Sequence, residues 1–198
     1  MKLLYSPASP YSAKCRMAAR HLNIAIEDVL TDTNTPPAEL LDSNPLGKIP
    51  VLIRDGEQPV YDSVAIMQFL DRQSGGRLYP TDADERTQAE VLEALCDGIT
   101  DCLLAIMYER RFRPAEIVYQ PWIDKQWDKV VRGLDFLENN LPQTGDRLHG
   151  GHFSLAALIG YLDLRFAGQW ADGRPNLSGW TDTFSTVFVD YESMKSAA

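Results

Sequence analysis

The sequence has few cysteines and no long apolar run. Its three cysteines form no CxxC pair and no disulfide framework, which favours a reducing, cytoplasmic location. No apolar stretch approaches the roughly 20 residues of a membrane span, and the N-terminus lacks the basic and apolar regions of a signal peptide. His21, His149 and His152 share no ligand spacing, so no metal site is predicted and surface or capping roles are expected for them.

Basic residues are scarce relative to acidic ones. The formal net charge is −9, which argues against nucleic acid as a partner. Residues 1–80 carry eight Lys and Arg against nine Asp and Glu, whereas residues 81–198 carry 11 against 19. This change in composition near residue 80 indicates a domain boundary. The near-neutral first part would repel an anionic ligand less than the acidic second part.

Hydrophobic spacing in the first part predicts alternating strands and helices. The predicted strands are 2–5, 24–30, 48–53 and 59–61, and the predicted helices are 10–22 and 37–44. The β-α-β order at the start favours parallel pairing of the first two strands. In the first helix, Lys14, Arg16 and Arg20 lie between the apolar residues, so we expect them to be solvated. The alternative for Arg16 is that it braces the site.

Ser9 follows the first predicted strand and opens the first predicted helix. Serine is a favoured N-cap, and Pro10 suits the first helical position because no N–H is needed there. A helix N-terminus stabilises an anion through its unpaired N–H groups and partial positive charge, and a serine hydroxyl can donate to the same anion. Two interpretations follow: Ser9 only caps its helix, or it also stabilises the thiolate of a bound substrate.

Two further positions combine strand and helix signals. Pro50 begins the third strand, where an X-Pro bond can be cis. A cis bond would turn the Ile49 N–H and C=O away from the sheet, towards an extended peptide. Asp62 and Ser63 precede the next helical run, and either can be its N-cap. The same helix start could bind a carboxylate, with the aspartate binding an ammonium beside it.

The second part is predicted to be helical. Gly and Pro residues at 75–81 predict a linker, and the predicted helices are 82–113, 121–140, 154–167 and a last one from 175. The first of these has acids early and arginines late, which complements the helix dipole. Ser154 is expected to cap its helix.

Four stretches in the same order resemble the glutathione S-transferase superfamily, and the similarity covers nearly the whole chain. They are SPYSAKCR at 9–16, NPLGKIPVL at 44–52, YDSVAI at 61–66 and FSLAA at 153–157. The resemblance implies an α/β thioredoxin-like N-terminal domain at 1–76 and an all-α helical-bundle domain at 84–198, joined by a linker at 77–83. It also implies a homodimer.

The chain departs from its relatives at two places. Relatives usually carry an aspartate where this sequence has Ala157, three residues after the Ser154 cap, which removes a capping box. The C-terminal run 184–194 lacks the Arg-Pro ending common in relatives, which puts the C-terminal edge of the pocket in doubt.

The resemblance implies roles for the glutathione-binding residues. Ser9 aligns with the activating serine of theta-like, zeta-like or related bacterial classes and would donate to the glutathione sulfur. Ile49, beside a cis Pro50, would pair main chain to main chain with the cysteinyl unit. Asp62 and Ser63 would hold the γ-glutamyl end.

The remaining implied roles concern the glycyl end of glutathione and the pocket for the second substrate. Lys48 could help to bind the glycyl carboxylate of glutathione. The wall of the electrophile pocket would come from Tyr11, Ser12, Met107, Tyr108 and Arg111. Ser9 and Ser12 stand where a CPYC-type site has its two cysteines, so dithiol redox chemistry is disfavoured.

The predicted function is a detoxifying glutathione transferase whose partners are glutathione, as substrate, and a hydrophobic electrophile, with no metal. A glutathione-dependent peroxidase, dehalogenase or isomerase would use the same thiolate and remains an alternative. A non-catalytic interaction protein that keeps only the fold is the alternative from another class.

Overall fold

Three short strands near the N-terminus form a mixed sheet. The structure is a computed structural model and describes residues 1–145 and 147–198. Within this range the strands are β1 (Lys2–Tyr5), β2 (Glu27–Leu30) and β3 (Val51–Ile53), in the order β2-β1-β3. β1 runs parallel to β2 and antiparallel to β3, so the predicted parallel pairing of the first two strands is confirmed.

The predicted fourth strand is wrong. The pairing at 59–61 is a single antiparallel bridge between Leu52 and Val60, whose two backbone hydrogen bonds both measure 2.9 Å. Pro59 has no N–H to donate, and Asp62 already caps the following helix. Only Val60 is left to pair, so no strand extends from it.

Helices cover both faces of this sheet. α1 (Pro10–His21) and α3 (Ser63–Gln73) pack on one face and α2 (Ala38–Ser43) on the other. Because successive side chains of a strand point to opposite faces, Leu3 joins the core formed with α1 and α3, whereas Leu4 packs with Leu40 of α2. The residues that precede β2, Ile24 and Ile26, still pack against the larger core.

The rest of the chain is helical. No regular element occurs at 74–82, and then follow α4 (Ala83–Phe112), α5 (Gln120–Asn139), α6 (Gly150–Phe166), α7 (Pro175–Val187) and α8 (Tyr191–Met194). α6 is buried along most of its length, between α4 on one side and α1 on the other. The predicted fold class, a thioredoxin-like α/β part followed by an all-α part, is confirmed.

The start of α6 differs from the prediction. The helix begins at Gly150, and Ser154 lies inside it, where its hydroxyl donates to the Gly150 carbonyl at 3.2 Å. The caps are two histidine rings: Nδ1 of His149 accepts from the Gly151 N–H at 3.2 Å, and Nδ1 of His152 accepts from the His149 N–H at 3.1 Å. The expected capping role is therefore confirmed for these two histidines.

No helix in the described part of the chain is both long and apolar enough to cross a membrane. Among residues 1–145 and 147–198, no group of three His, Cys, Asp or Glu side chains is placed to hold a metal ion.

Candidate active site

The sheet register brings the loop that follows β1 close to Pro50. In the antiparallel β1–β3 pair, Leu4 lies opposite Val51. Continuing that register by one residue places Tyr5 beside Pro50. Ser9 follows Tyr5 after a short loop, so the start of α1 lies at the same edge of the sheet as the start of β3.

The bridge to Val60 brings a third segment to this edge. Leu52 pairs antiparallel with Val60, so two residues further along Asp62 falls near Pro50. The N-terminus of α3 therefore converges on the N-terminus of α1. Three of the motifs singled out in the sequence meet at one place.

Ser9 caps α1, and its hydroxyl keeps a proton to donate. Its Oγ accepts a hydrogen bond from the Ser12 N–H at 3.2 Å. A hydroxyl that accepts in this way can still donate. The Tyr11 N–H has no hydrogen-bond partner among the described residues, so it offers a second donor beside Ser9.

Ser12 lies beneath this surface. It is fully buried, and its Oγ has no hydrogen-bond partner within residues 1–145 and 147–198. In that range, Ser196 Oγ is the other side-chain oxygen that is itself buried and has no partner. The C-terminal tail that carries Ser196 reaches the loop before Ser9, because the Ala197 N–H donates to the Pro7 carbonyl at 3.0 Å. The tail therefore borders the start of α1.

Ile49 presents main-chain groups at the convergence. The Ile49-Pro50 bond is cis, and neither the N–H nor the C=O of Ile49 pairs with any described residue. Asn44 supports the preceding turn: its side-chain amide donates to the Lys48 carbonyl at 2.8 Å and accepts from the Leu46 N–H at 3.0 Å. The Lys48 side chain is exposed and in no ion pair with a described residue.

Asp62 is the N-cap of α3 and accepts from the Val64 N–H at 3.1 Å. Its peptide bond to Tyr61 is cis. Ser63 is buried, and neither its N–H nor its Oγ is bonded within the part of the chain described. Its carbonyl accepts from the Cys15 thiol at 3.7 Å, which ties α3 to α1.

Lys14 is buried and charged, contrary to the expectation that it is solvated. Its ammonium lies 3.0 Å from Glu93 and 2.5 Å from Asp97 of α4, and Glu93 also accepts from the Tyr79 hydroxyl. Burial alone would lower the Lys14 pKa, but Asp97 and then Glu93 raise it above its usual value. Burial raises the Asp97 pKa, and Lys14 opposes that effect.

The neighbouring cations of α1 differ from one another. Arg16 is half-buried, lies 2.6 Å from Asp28 and covers the Tyr5 ring at 4.5 Å from its centroid. The expectation of solvation is wrong for Arg16, because both partners lie on the adjacent strands. Arg20 is exposed, as predicted.

Tyr11 joins the start of α1 to α4. Its hydroxyl donates to Asp101, one helical turn beyond Asp97. Burial, and then the hydrogen bond to Asp101, raise the Tyr11 pKa. Tyr161 of α6 lies on the same side: burial raises its pKa to about 12, an effect that the positive charge of Arg165 opposes.

The residues predicted for the electrophile wall are divided between two helices. Tyr11 and Ser12 lie on α1, and three residues lie on the last turns of α4. Met107 packs against the core, Tyr108 is exposed, and Arg111 donates to Asn34 Oδ1 at 2.9 Å.

Sequence reasoning missed Lys14, Asp97, Asp101 and Tyr161. The detectable signal was the regular four-residue spacing of Glu93, Asp97 and Asp101, which places three acids on one face of a helix.

Two family descriptions match the two parts of the chain. Residues 3–78 match the glutathione S-transferase N-terminal domain, and residues 120–183 match the glutathione S-transferase C-terminal domain. Among curated proteins, the chain is 30% identical to an uncharacterized GST-like protein, YibF, of Escherichia coli, over 89% of this chain and 90% of that protein. The chain belongs to the glutathione S-transferase superfamily.

Solved structures agree with this assignment. A glutathione S-transferase from Methylobacillus flagellatus with glutathione bound is 32% identical, with a TM-score of 0.90 and 99% of each chain covered. A glutathione transferase family member from Pseudomonas fluorescens with bound S-(propanoic acid)-glutathione is 30% identical, with a TM-score of 0.84 and 100% of each chain covered.

Proposed function

We propose that the chain is a serine-type glutathione transferase. It binds glutathione where the starts of α1, β3 and α3 converge, holds the sulfur as a thiolate at Ser9, and adds it to an electrophilic small molecule. Relatives of about 30% identity that hold glutathione or a glutathione conjugate support this proposal.

The observation that carries the proposal is a set of unsatisfied main-chain and hydroxyl groups at one place. The N–H and C=O of Ile49, the N–H and Oγ of Ser63 and the N–H of Tyr11 have no partner among the described residues. Main-chain and hydroxyl groups left unpaired at a helix N-terminus or beside a strand are available to bind a ligand. These unpaired donors and acceptors could bind the main chain and the charged end of an extended peptide.

Each part of glutathione has a proposed partner. Ile49 pairs with the main chain of the cysteinyl unit, as one strand pairs with another. Ser63 and the N-terminus of α3 bind the γ-glutamyl carboxylate, and Asp62 binds its ammonium. The Lys48 ammonium binds the third charged group, the glycyl carboxylate.

Ser9 then acts on the sulfur. A free thiol has a pKa of about 8.5, so a small fraction is ionised at neutral pH. The Ser9 hydroxyl and the N-terminus of α1 both favour the anion, and together they lower the thiol pKa by about one to two units.

The reaction needs no covalent enzyme intermediate. The thiol proton leaves to solvent, and the sulfur lone pair forms a C–S bond to the electrophile. In a substitution the leaving group departs with its bonding electrons, and in an addition to a double bond the adjacent carbon takes a proton from water. Both outcomes remove a reactive electrophile, which is the proposed detoxifying role.

The domain division, assembly and location follow the family. We propose domains at 1–76 and 84–198 with a linker at 77–83, a homodimer and a cytoplasmic location. Exposed Val64 of α3 and Val91 of α4 provide apolar surface for a dimer, and the three free cysteines suit a reducing compartment. Sedimentation velocity measures the assembly directly, and a monomer at all concentrations would contradict it.

Calorimetric titration with glutathione tests the proposed site. We expect wild type to bind with a dissociation constant between micromolar and millimolar. Ser63→Ala removes a hydroxyl that faces a charged carboxylate, so we expect affinity to fall about tenfold or more. Ser178→Ala, in which the hydroxyl lost donates only to the nearby Pro175 carbonyl of α7, is the matched control and should bind like wild type. If wild type releases no heat and shows no binding by a second method, the interaction-protein alternative is favoured.

A further inference from the structure

We propose that the electrophile carries a carboxylate, and that Arg111 binds it while the exposed rings of α4 contact the rest of the molecule. This inference rests on the proposed function, because it concerns the second substrate of the same site.

The path of α4 places Arg111 beyond the sulfur position. Asp101 holds the Tyr11 hydroxyl at the start of α1. With 3.6 residues per turn and 1.5 Å of rise per residue, Tyr108 lies about 10 Å further along α4 on nearly the same face. Arg111 and Phe112 follow within one more turn. The end of α4 therefore overhangs the space in front of α1.

Two aromatic rings are exposed there without a covering group among the described residues. Tyr108 is 51% exposed and Phe112 is 64% exposed. Their ring centroids lie 5.3 Å apart in an edge-on arrangement. Exposed rings arranged in this way offer contact area to an aromatic or unsaturated molecule.

Arg111 supplies a charge that the protein does not neutralise locally. Its guanidinium donates to Asn34 Oδ1, a neutral partner in the loop that follows β2, and its Cζ lies 5.3 Å from the Phe112 ring centroid. No carboxylate in the described part of the chain pairs with it. Arg113, two residues on, is paired with Glu109 at 2.7 Å.

The only side-chain hydrogen-bond partner of the Arg111 guanidinium among the described residues is the neutral amide of Asn34, so its charge remains available to an anionic ligand. Arg111 spans from α4 to a loop of the N-terminal part, so both parts of the chain hold its side chain. A guanidinium with N–H donors to spare is suited to bind a carboxylate in a bidentate manner. The Pseudomonas fluorescens relative holds glutathione with a propanoic acid group attached.

The test uses two stable conjugates that differ in one group. S-(4-carboxybenzyl)glutathione and its neutral isostere S-(4-carbamoylbenzyl)glutathione are titrated calorimetrically against wild type, with glutathione alone as the reference ligand. Wild type should bind the carboxylate about five to ten times more tightly than the amide. The preference should shrink as salt is raised, since Arg111 is exposed.

Two variants assign the preference. Arg111→Gln should abolish the preference for the carboxylate, because the affinity for the carboxylate conjugate falls to that for the carbamoyl conjugate. Arg110→Gln is the matched control: Arg110 is exposed and, nine residues from Asp101, lies on the opposite face of α4. It should keep the wild-type preference.

The outcomes separate the two proposals. If glutathione and the carbamoyl conjugate bind but the carboxylate gives no advantage, the inference is overturned and the proposed function stands. If both arginine variants lose the preference equally, a diffuse charge effect replaces the role of Arg111. If neither glutathione nor either conjugate binds, the proposed function fails and the inference fails with it.

Discussion

Replacing Lys14 with methionine should destabilise the protein strongly. The substitution keeps most of the length of the unbranched side chain and removes the positive charge that lies 3.0 Å from Glu93 and 2.5 Å from Asp97. Breaking a buried ion pair by removing one partner typically costs about 3–5 kcal/mol, because the remaining charge stays buried. We expect a loss of that size in the free energy of unfolding near neutral pH.

The loss should depend on pH in a defined direction. Without Lys14, the raising effect of burial on the Asp97 pKa is unopposed. This carboxyl then binds a proton more readily in the folded than in the unfolded state, so the stability of the variant rises as the pH falls towards its pKa. The loss relative to wild type is therefore smaller near pH 5 than near pH 7.5.

Urea denaturation followed by tryptophan fluorescence measures both effects. Lys125→Met, which removes an exposed lysine of α5, is the control and should change stability by less than about 0.5 kcal/mol. Adding Glu93→Gln and Asp97→Asn to Lys14→Met should recover most of the loss, because no buried charge is left unpaired. A loss below about 1 kcal/mol, or one that does not shrink at low pH, would refute the reasoning.

Three further predictions concern stability. Gly150→Ala places a Cβ 2.5 Å from the Tyr79 ring and should cost about 1–3 kcal/mol of stability. At Gly98 an added Cβ meets nothing within 4 Å, so Gly98→Ala should be neutral or stabilise α4 by up to about 1 kcal/mol. Equal urea midpoints for the two variants would contradict this prediction. Burial and then His152 lower the His149 pKa to about 3, so wild type should lose stability as pH falls below about 6.5. In His149→Asn, asparagine is a good helix cap that does not titrate. The loss of unfolding free energy between about pH 7 and 5 should therefore be smaller than in wild type, by at most roughly 2 kcal/mol. Urea denaturation at both pH values measures this loss, and an equal loss in the variant would contradict the role of His149. Asn44→Ala removes the two side-chain hydrogen bonds of a buried asparagine and should cost about 2 kcal/mol in urea denaturation. A urea midpoint equal to that of wild type would argue against this account of the turn.

The order of elements could be predicted because it depends on local signals. Ser9 and Asp62 are side chains whose capping geometry lies within a few residues, and hydrophobic spacing identified the helices around them. The boundary error has the same local origin: the sequence pattern favours Ser154 as the cap, whereas the rings of His149 and His152 supply the caps.

The contacts between the two halves of the chain could not be predicted in this way. Lys14 is surrounded by residues about 80 positions away, and no local pattern distinguishes it from a solvated lysine. The same holds for Tyr161 and for the contact between Arg111 and Asn34, since each depends on how α4 and α6 pack on the first part. The convergence of Ser9, Pro50 and Asp62 became clear only from the strand register.

The central claim is that Ser9 holds the glutathione sulfur as a thiolate. The most direct measurement is the ultraviolet absorption of the thiolate when glutathione is added near neutral pH to wild type, Ser9→Ala and Ser9→Thr. Ser9→Ala loses a helix cap worth about 1 kcal/mol, so binding is first verified by calorimetry under conditions where the variant is folded. We predict a thiolate signal with wild type and with Ser9→Thr, and its loss in Ser9→Ala although glutathione still binds. An unchanged signal in Ser9→Ala would contradict the claim and move the role to Ser12 or to the backbone N–H groups of α1.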